Sequence, residues 1–319
     1  MEGTETLYLG VLFFVRLWYI LSMSYASGRL ISRTPFNSAT YYQILKILRR
    51  LLLYVILILA VLWAVLPLFW VFISSIKPDI ETYAFDQTIF PKNPTLQNYI
   101  TLFRVTQFGL WMRNSAILAT STTLLVVSLS AMAAYAMSRF RYQLFEIFGR
   151  MTLLAYMMPP IILVVPLFFV LFRMNLVNSM LGLLLVYTGT RLPVGLWMLR
   201  SYFQGIPIEL EEAAMVDGAT RFQAFWKVIV PQAMPGMIST AIFTFSVTWQ
   251  EFLFASILIF SSRKQTLSAG VATFLSEDWI YSWGLLMAAA VLVSLPLVLL
   301  YAFLQRFLIA GWGGGSVKG

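Results

Sequence analysis

Six long apolar runs alternate with polar segments along this chain. They cover residues 51–76, 114–137, 149–172, 181–203, 236–260 and 283–307. A helix needs roughly 20 predominantly apolar residues to cross the hydrocarbon core of a bilayer, and each run is long enough. The pattern predicts an all-α membrane protein in which residues 51–308 form one six-span transmembrane domain.

A further apolar stretch, residues 7–25, precedes these runs and has Arg16 near its centre. Its first residues include Glu2 and Glu5 but no Lys or Arg, which argues against a secretory signal. The stretch could form an extra N-terminal span, or it could lie along the membrane interface. We favour the interface because a central guanidinium is costly in lipid. Residues 1–50 are therefore assigned to an apolar and basic N-terminal segment.

A charged insert, residues 204–235, separates the fourth predicted span from the fifth. In hydrocarbon its charges and loop amides would lose water without replacement, so the insert must face an aqueous compartment. Pro207 suits a first helical turn, and acidic residues follow it near the positive end of the helix dipole. The acidic residues of the insert are Glu209, Glu211, Glu212 and Asp217.

Gly218 follows this first helical run, at a position where a helix stop favours a residue that accepts positive φ. A second run, residues 221–230, places apolar residues at helical spacing. We expect Pro231 and Pro235 to end this second helix before the fifth span. The insert is therefore predicted to be a helix, a glycine turn and a second helix.

Composition supports a polytopic membrane protein and excludes several kinds of site. The 319 residues are 60% hydrophobic and 11% charged, whereas soluble domains carry roughly 25% charged residues. The chain has no Cys and no His, which excludes disulfides, thiolate or imidazole metal sites and Ser-His or Cys-His catalysis. It also has no P-loop for ATP. We expect no enzymatic activity, no cofactor and no metal.

The net charge is +9, but the sequence has no basic stretch interleaved with aromatic residues, which a nucleic-acid-binding module would need. We therefore expect no nucleic-acid partner. If the charged insert is cytoplasmic, thirteen of the 22 Lys and Arg residues are inside and seven are outside. Cytoplasmic loops carry such an excess. We therefore expect a multi-pass protein of the cytoplasmic membrane whose six-span core has both ends in the cytoplasm.

Prolines interrupt the third predicted span at Pro159, Pro160 and Pro166. A proline frees a backbone carbonyl, which at membrane depth must be met by a neighbouring helix or by water. The interruption therefore predicts either a flexible helix that lines a pathway or a static packing kink.

Two other spans carry polar residues that bear on function. Arg191 lies within the fourth span and must meet a carboxylate, carbonyls or water. Trp249, Gln250 and Glu251 lie near the middle of the fifth. An aromatic face, an amide and a carboxylate together suit a sugar site. A mid-membrane carboxylate would equally suit a proton relay, and the same groups could simply bond neighbouring helices.

The charged insert resembles the EAA signature of ABC importer permeases. That signature reads EAA, three residues, G, nine residues, I, one residue, LP. At the same spacing this chain has Glu212-Ala213-Ala214, Gly218, Val228 and Val230-Pro231. Valine replaces the isoleucine and the leucine, which are mild apolar changes.

Other motifs are similar to the maltose-type, MalG-like group of carbohydrate uptake permeases. They include AAYAMSRF at residues 133–140, PTLQNY at 94–99 and a glycine-rich tail at 309–319. The group carries Trp-Asn-Glu at the position of Trp249-Gln250-Glu251, so Gln250 stands where the group has asparagine. The resemblance covers about residues 45–319 and implies a six-span permease core with a cytoplasmic coupling hairpin and a cytoplasmic tail.

In this family the insert is the segment that docks into a cytoplasmic ABC ATPase dimer. The resemblance thus assigns coupling to Glu209, Glu211, Glu212, Ala213, Ala214, Asp217, Gly218 and Arg221. It further implies a second homologous permease subunit, an extracytoplasmic solute-binding protein and the import of a sugar, with a di- or oligosaccharide expected. The candidate pathway residues are then Trp249, Gln250, Glu251 and Arg191.

The residues alone leave two alternatives open. The chain could be an ion- or proton-coupled secondary transporter that uses Arg191 and Glu251 as intramembrane charges. It could also be a membrane scaffold that does not transport, with the insert serving only as a docking site. Uptake that collapses with an uncoupler and needs no ATPase would support the first alternative.

Overall fold

The computed structural model of the protein describes residues 38–85, 88–140, 142–277 and 282–313. Within these ranges the regular structure is helical, and no residue lies in a strand. The helices are α1 Ser38–Ser75, α2 Asp79–Thr82, α3 Gln97–Val105, α4 Phe108–Arg139, α5 Gln143–Tyr156, α6 Pro160–Arg173, α7 Met180–Gln204, α8 Glu209–Val216, α9 Arg221–Ala224, α10 Val230–Trp249, α11 Leu253–Leu258, α12 Leu267–Glu277 and α13 Trp283–Gly313. The stretch 7–25 and the end of the tail, 314–319, lie outside the described residues.

Within the described residues, five helical segments are long and apolar enough to cross a membrane, and a bent pair, α5 with α6, is a sixth candidate. The five are Leu45–Ser75, Phe108–Arg139, Met180–Gln204, Arg221–Trp249 and Trp283–Leu304. The last helix continues to Gly313, into the segment predicted as a glycine-rich tail, 309–319. The all-α membrane class expected from the sequence is therefore confirmed.

The chain divides into two compact units, the first ending at Leu66 and the second beginning at Pro67. The described part of the first unit is the beginning of α1, whose large apolar side chains, such as Leu51 and Trp63, are exposed. Exposed apolar side chains on a helix of this length suit contact with lipid. All packing described below lies within the second unit.

The third predicted span, 149–172, is not one helix. α5 and α6 meet at an angle of 106°, so the interruption is a sharp bend. Pro159 has φ −56° and ψ 131°, the extended conformation that a residue adopts when a proline follows it. Because Pro159 precedes Pro160, the helix cannot continue through the pair.

Pro231 and Pro235 do not end the second helix of the charged insert, so the prediction from the sequence is wrong at this point. α9, a π-helical turn at Phe225–Ile229 and α10 form one continuous helical segment that ends at Trp249. In the π turn the amide of Val230 donates to the carbonyl of Phe225, five residues earlier. Pro231 follows directly, so its missing N–H falls where the α-helical bonding pattern is already interrupted.

The bundle of the second unit is built around α4, which packs against both α7 and α10. At the α4–α7 crossing, a β-carbon placed on Gly195 would lie 2.8 Å from both Ser130 Oγ and Val126 Cγ1. The backbones approach this closely because glycine has no side chain. Small residues thus fix the contact between the two helices.

Two apolar clusters occupy the end of the bundle away from the insert, and a third lies beneath the insert. Along α4, α7 and α10, the stretches between these clusters carry buried hydroxyl side chains, among them Thr122, Thr188 and Thr240. Within the described residues, the hydroxyls of Thr122 and Thr188 have no hydrogen-bond partner. Buried polar groups therefore lie between the apolar clusters in the middle of the bundle.

Candidate functional site

The charged insert folds as a helical hairpin, defined here as α8, the turn at Gly218 and α9. Gly218 has φ +90°, a conformation open to glycine and strained for other residues. Its amide donates to Met215 O at 3.1 Å, and the amide of Ala219 donates to Ala214 O at 3.0 Å. This pair of bonds is a Schellman motif, which satisfies the last carbonyls of a helix. The predicted helix and glycine turn are therefore confirmed.

The second helix of the hairpin starts with a capping box. Thr220 Oγ1 accepts from the amide of Gln223 at 3.3 Å, and Gln223 Oε1 accepts from the amide of Thr220 at 2.9 Å. These bonds satisfy two donors at the start of a helix. Because both ends of the turn are capped, the hairpin holds its shape through its own hydrogen bonds.

The acidic residues of the hairpin fall into two environments. Glu209, Glu212 and Asp217 are exposed, and they form a negatively charged outer surface. Glu211 is buried, with 3% of its side chain exposed. Although these acids belong to one short sequence motif, only Glu211 points into the bundle.

The carboxylate of Glu211 binds the last turn of α4. Tyr135 donates its hydroxyl to Glu211 Oε1 at 2.5 Å, and Arg139 Nε donates to Oε2 at 3.0 Å. Arg139 also donates from a terminal nitrogen to the carbonyl of Ile206 at 3.1 Å. Arg221 Nε lies 3.6 Å from Oε1. Each oxygen of this buried carboxylate therefore has its own donor, as a buried charge requires.

Aromatic rings pack at the base of the hairpin, with one from each converging element. The ring of Tyr135 from α4 lies 4.6 Å from that of Phe225 in the π turn and 6.3 Å from that of Phe203 in α7. Both phenylalanines are almost completely buried. The hairpin is thus fixed to the bundle by apolar packing beneath a charged hydrogen-bond network.

A second buried carboxylate lies at Glu251, where the structure departs from the predicted fifth span, 236–260. α10 ends at Trp249 and α11 begins at Leu253. Glu251 accepts hydrogen bonds from the amides of Phe254 at 2.9 Å and Ala255 at 3.2 Å, and from the hydroxyl of Tyr187 at 2.6 Å. The span is broken because this side chain binds the free amides at the start of α11.

The neighbours of Glu251 differ in how accessible they are. The indole of Trp249 is buried, donates to the carbonyl of Val293 at 3.0 Å and stacks on Phe245 with 5.8 Å between ring centroids. Gln250 is exposed, and its amide nitrogen donates to the carbonyl of Ser246 at 3.1 Å. Of this polar triplet, Gln250 is the residue with an accessible side chain.

Arg191, on α7, is half-buried. It interacts electrostatically with Glu251, Tyr187 and Tyr156, so it belongs to the same polar region as the break in the fifth span. Its Nε atom has no hydrogen-bond partner among the described residues. The structure therefore brings Arg191 and Glu251 together, although they are far apart in sequence.

Sequence reasoning missed Tyr135 and Arg139 as members of the hairpin site. Both lie in the AAYAMSRF motif, 72 or more residues before Glu211. The signal available was an arginine and a tyrosine, four residues apart, on one face at the end of an apolar helix. A charged residue at such a position needs a partner, and an acidic insert between two later spans is a suitable source.

Comparison with known proteins matches residues 126–312 to the family described as binding-protein-dependent transport system inner membrane component. This region includes the hairpin, the last turn of α4 and the break at Glu251. The family match therefore covers both buried carboxylates and their partners.

Several relatives align over nearly their whole length. The inner membrane ABC transporter permease protein YcjP of Escherichia coli is 36% identical, with 86% of this chain and 98% of that protein covered. The trehalose/maltose transport system permease protein MalG of Thermococcus litoralis is 33% identical, with coverages of 86% and 99%. The trehalose transport system permease protein SugB of Mycobacterium tuberculosis is 36% identical, with coverages of 82% and 95%.

Among solved structures, a similar chain comes from a bacterial ABC transporter involved in the import of the acidic polysaccharide alginate. The TM-score is 0.70 at 20% sequence identity, with 86% of this chain and 99% of that chain covered. At this level of identity the likeness shows the fold.

Proposed function

This chain belongs to the family of binding-protein-dependent transport system inner membrane components, and we propose that it is the permease subunit of an ATP-binding-cassette importer for a sugar. The observation that carries the proposal is the hairpin, which presents exposed acids at Glu209, Glu212 and Asp217 while Glu211 binds it to the bundle. An element with a charged outer face and a fixed inner face suits docking to a separate protein.

The partners are an ATPase dimer, a second homologous permease and an extracytoplasmic solute-binding protein. The chain has no P-loop, so ATP must be hydrolysed by another subunit. The hairpin lies on the cytoplasmic side, where it meets the ATPases, and the excess of Lys and Arg on that side supports this orientation. Six spans supply one half of a pathway, and the second permease supplies the other.

The transported solute is a di- or oligosaccharide. Two of the relatives described above are named for trehalose or for trehalose and maltose transport, which supports this class. We assign solute contact to Gln250 and Arg191, because Gln250 is exposed and Arg191 has a buried nitrogen with no hydrogen-bond partner among the described residues. Trp249 and Glu251 contribute by holding the break in the fifth span, since their polar atoms are bonded within the chain.

ATP-driven closure of the ATPases moves the hairpin, and the hairpin moves the spans. α8 follows α7 after a short connection, and α9 continues through the π turn into α10. Displacement of the hairpin therefore reaches both helices through the main chain. Arg221, Glu212 and their neighbours around the glycine turn form the surface that the ATPase contacts.

Reconstitution tests the proposal. The chain is purified with the second permease and the ATPases, placed in vesicles, and supplied with binding protein and a radiolabelled disaccharide. We expect uptake that requires ATP and the ATPases and that persists when an uncoupler removes the proton gradient. Uptake without ATPases that collapses with the uncoupler would instead identify a secondary transporter, and a complex that assembles but never transports would identify a scaffold.

A further inference from the structure

The hairpin reaches two helices through the main chain but reaches α4 in a different way. α4 ends at Arg139, and the chain then leads to α5, so no main-chain connection joins α4 directly to the hairpin. Within the described residues, the polar connections from α4 to the hairpin are the bonds from Tyr135 and Arg139 to Glu211, and Arg139 also bonds to Ile206 in the segment that leads into α8. α4 therefore depends on side chains to follow any movement of the hairpin.

These side-chain contacts are suited to carry movement because they are short, charged and shielded from water. Arg139 and Glu211 have 7% and 3% of their side chains exposed. In a buried setting, charge-assisted hydrogen bonds are stronger than neutral ones and hold a defined geometry. The aromatic packing below them is less directional than a charged hydrogen bond, so it constrains the position of α4 against the hairpin less tightly.

Arg221, on α9, lies near the same carboxylate, which belongs to α8. Its side chain is 52% exposed, its Nε lies 3.6 Å from Glu211 Oε1, and its guanidinium lies 5.2 Å from the centre of the Phe140 ring. Phe140 directly follows α4. Both helices of the hairpin therefore contact the end of α4. The contact from α8 is buried, and the contact from α9 is half-exposed.

We propose that Glu211 is a positioning residue that makes α4 move together with the hairpin, so that ATP hydrolysis is coupled to solute transport. This inference rests on the proposed function, and it adds α4 as a third driven helix. Because α4 packs against both α7 and α10, its displacement would change the centre of the bundle. Loss of the carboxylate would leave ATP hydrolysis in place and disconnect it from transport.

The test compares Glu211→Gln and Arg139→Gln with the wild-type complex in vesicles. The number of solute molecules transported per ATP hydrolysed is the readout. We expect this ratio to fall at least fivefold in each variant, while ATP hydrolysis stays within about twofold of wild type. We expect the double variant to be no worse than either single one, because both changes remove one contact.

A matched control is Glu146→Gln. Glu146 forms an ion pair with Arg150 at 3.3 Å, one helical turn along α5, and both side chains are largely exposed. Removing an exposed pair has little effect, so the transport ratio should stay at the wild-type value. A wild-type ratio in Glu211→Gln would overturn the inference. Absence of ATP-driven transport in the wild-type complex would instead count against the proposed function.

If a Glu211 variant assembles poorly, a distance measurement on the complex that retains Glu211 tests the inference instead. The chain has no cysteine, so spin labels can be placed at Met132→Cys on α4 and Val216→Cys on α8 of the hairpin, both exposed positions. With Glu211 present, we expect the distance between the labels to change by less than about 2 Å when ATP is added. A larger change in that complex would show that α4 does not follow the hairpin.

Discussion

The hydroxyl of Tyr187 donates a hydrogen bond of 2.6 Å to Oε2 of Glu251, and both side chains are buried. The same carboxylate accepts two backbone amides at the start of α11. Both oxygens of this buried carboxylate therefore accept hydrogen bonds, as a buried polar group requires. The break in the fifth span is thereby bound to α7, and Glu251 has a structural role at a depth where a charge would otherwise be costly.

Replacing Glu251 with glutamine should destabilise the protein without making transport depend on the proton gradient. The amide presents one acceptor instead of two, so an amide of α11 loses its partner at a cost of about 1–3 kcal/mol. We expect a lower thermal midpoint in detergent and ATP-driven uptake that an uncoupler does not affect. Tyr187→Phe, which removes one bond and keeps the ring, should give a smaller shift. Abolished uptake at wild-type stability would support a proton relay.

The turn at Gly218 should reject any residue with a β-carbon. A β-carbon there would meet no atom within 4 Å, so the effect comes from the backbone, which has φ +90°. For alanine the strain is about 1–2 kcal/mol, and for a β-branched residue such as valine it is larger. We expect Gly218→Val to reduce uptake by at least tenfold while membrane insertion remains normal.

The control for this prediction is Gly189→Ala. Gly189 lies in α7, and a β-carbon there also meets no atom within 4 Å. Alanine is favoured over glycine within a helix by about 1 kcal/mol, so uptake and stability should be retained. If Gly218→Val transported sugar normally, the hairpin would not need its shape for coupling.

Close packing between α7 and α10 depends on Gly236. A β-carbon at this position would lie 2.3 Å from Cγ of Tyr202, and a ring atom close to the backbone has little freedom to move. Overpacking of this kind costs typically about 1–3 kcal/mol. We expect Gly236→Ala to lower the thermal midpoint and Gly236→Ala/Tyr202→Ala to show less than the sum of the single effects. Simple additivity would mean that the two residues do not share a contact in the membrane.

Gln250 and Trp249 are adjacent in sequence and should respond differently to substitution. Gln250→Ala removes an exposed side chain, so we expect a changed KM for the sugar with little change in stability. Trp249→Ala removes a buried indole and should destabilise the bundle by about 3–5 kcal/mol. Uptake kinetics and thermal unfolding separate the two effects. An unchanged KM in Gln250→Ala would remove this residue from the pathway.

The hairpin was predictable because its signals are local. Gly218 follows a helical run, Thr220 and Gln223 are spaced for a capping box, and the charges exclude the insert from lipid. The different environment of Glu211 was not predictable from the same pattern. Glu211 and Glu212 have the same chemistry and differ in position by one residue, and the partner that buries Glu211 lies 72 residues away.

Breaks within the spans show a similar limit. The pair Pro159-Pro160 indicated an interruption in the third span. The angle of 106° between α5 and α6, however, depends on the backbone conformation at the proline pair. The fifth span is broken at Glu251, where the sequence has no proline. The break occurs because the Glu251 carboxylate accepts backbone amides in place of helix carbonyls. Conversely, Pro231 did not end a helix, since the π turn before it accommodated the missing N–H. Residue type alone indicates where a helix is weak, and the local hydrogen bonds decide whether it stops.

The π turn also has a mechanical consequence. Because the helix is unbroken from Arg221 to Trp249, 29 residues form a single rod of about 44 Å at 1.5 Å per residue. Tilting such a rod by about 5° around its far end would displace the near end by roughly 4 Å, a geometric estimate from the same helical rise. A modest swing of one subunit is therefore enough to move one end of this segment by the size of a side chain.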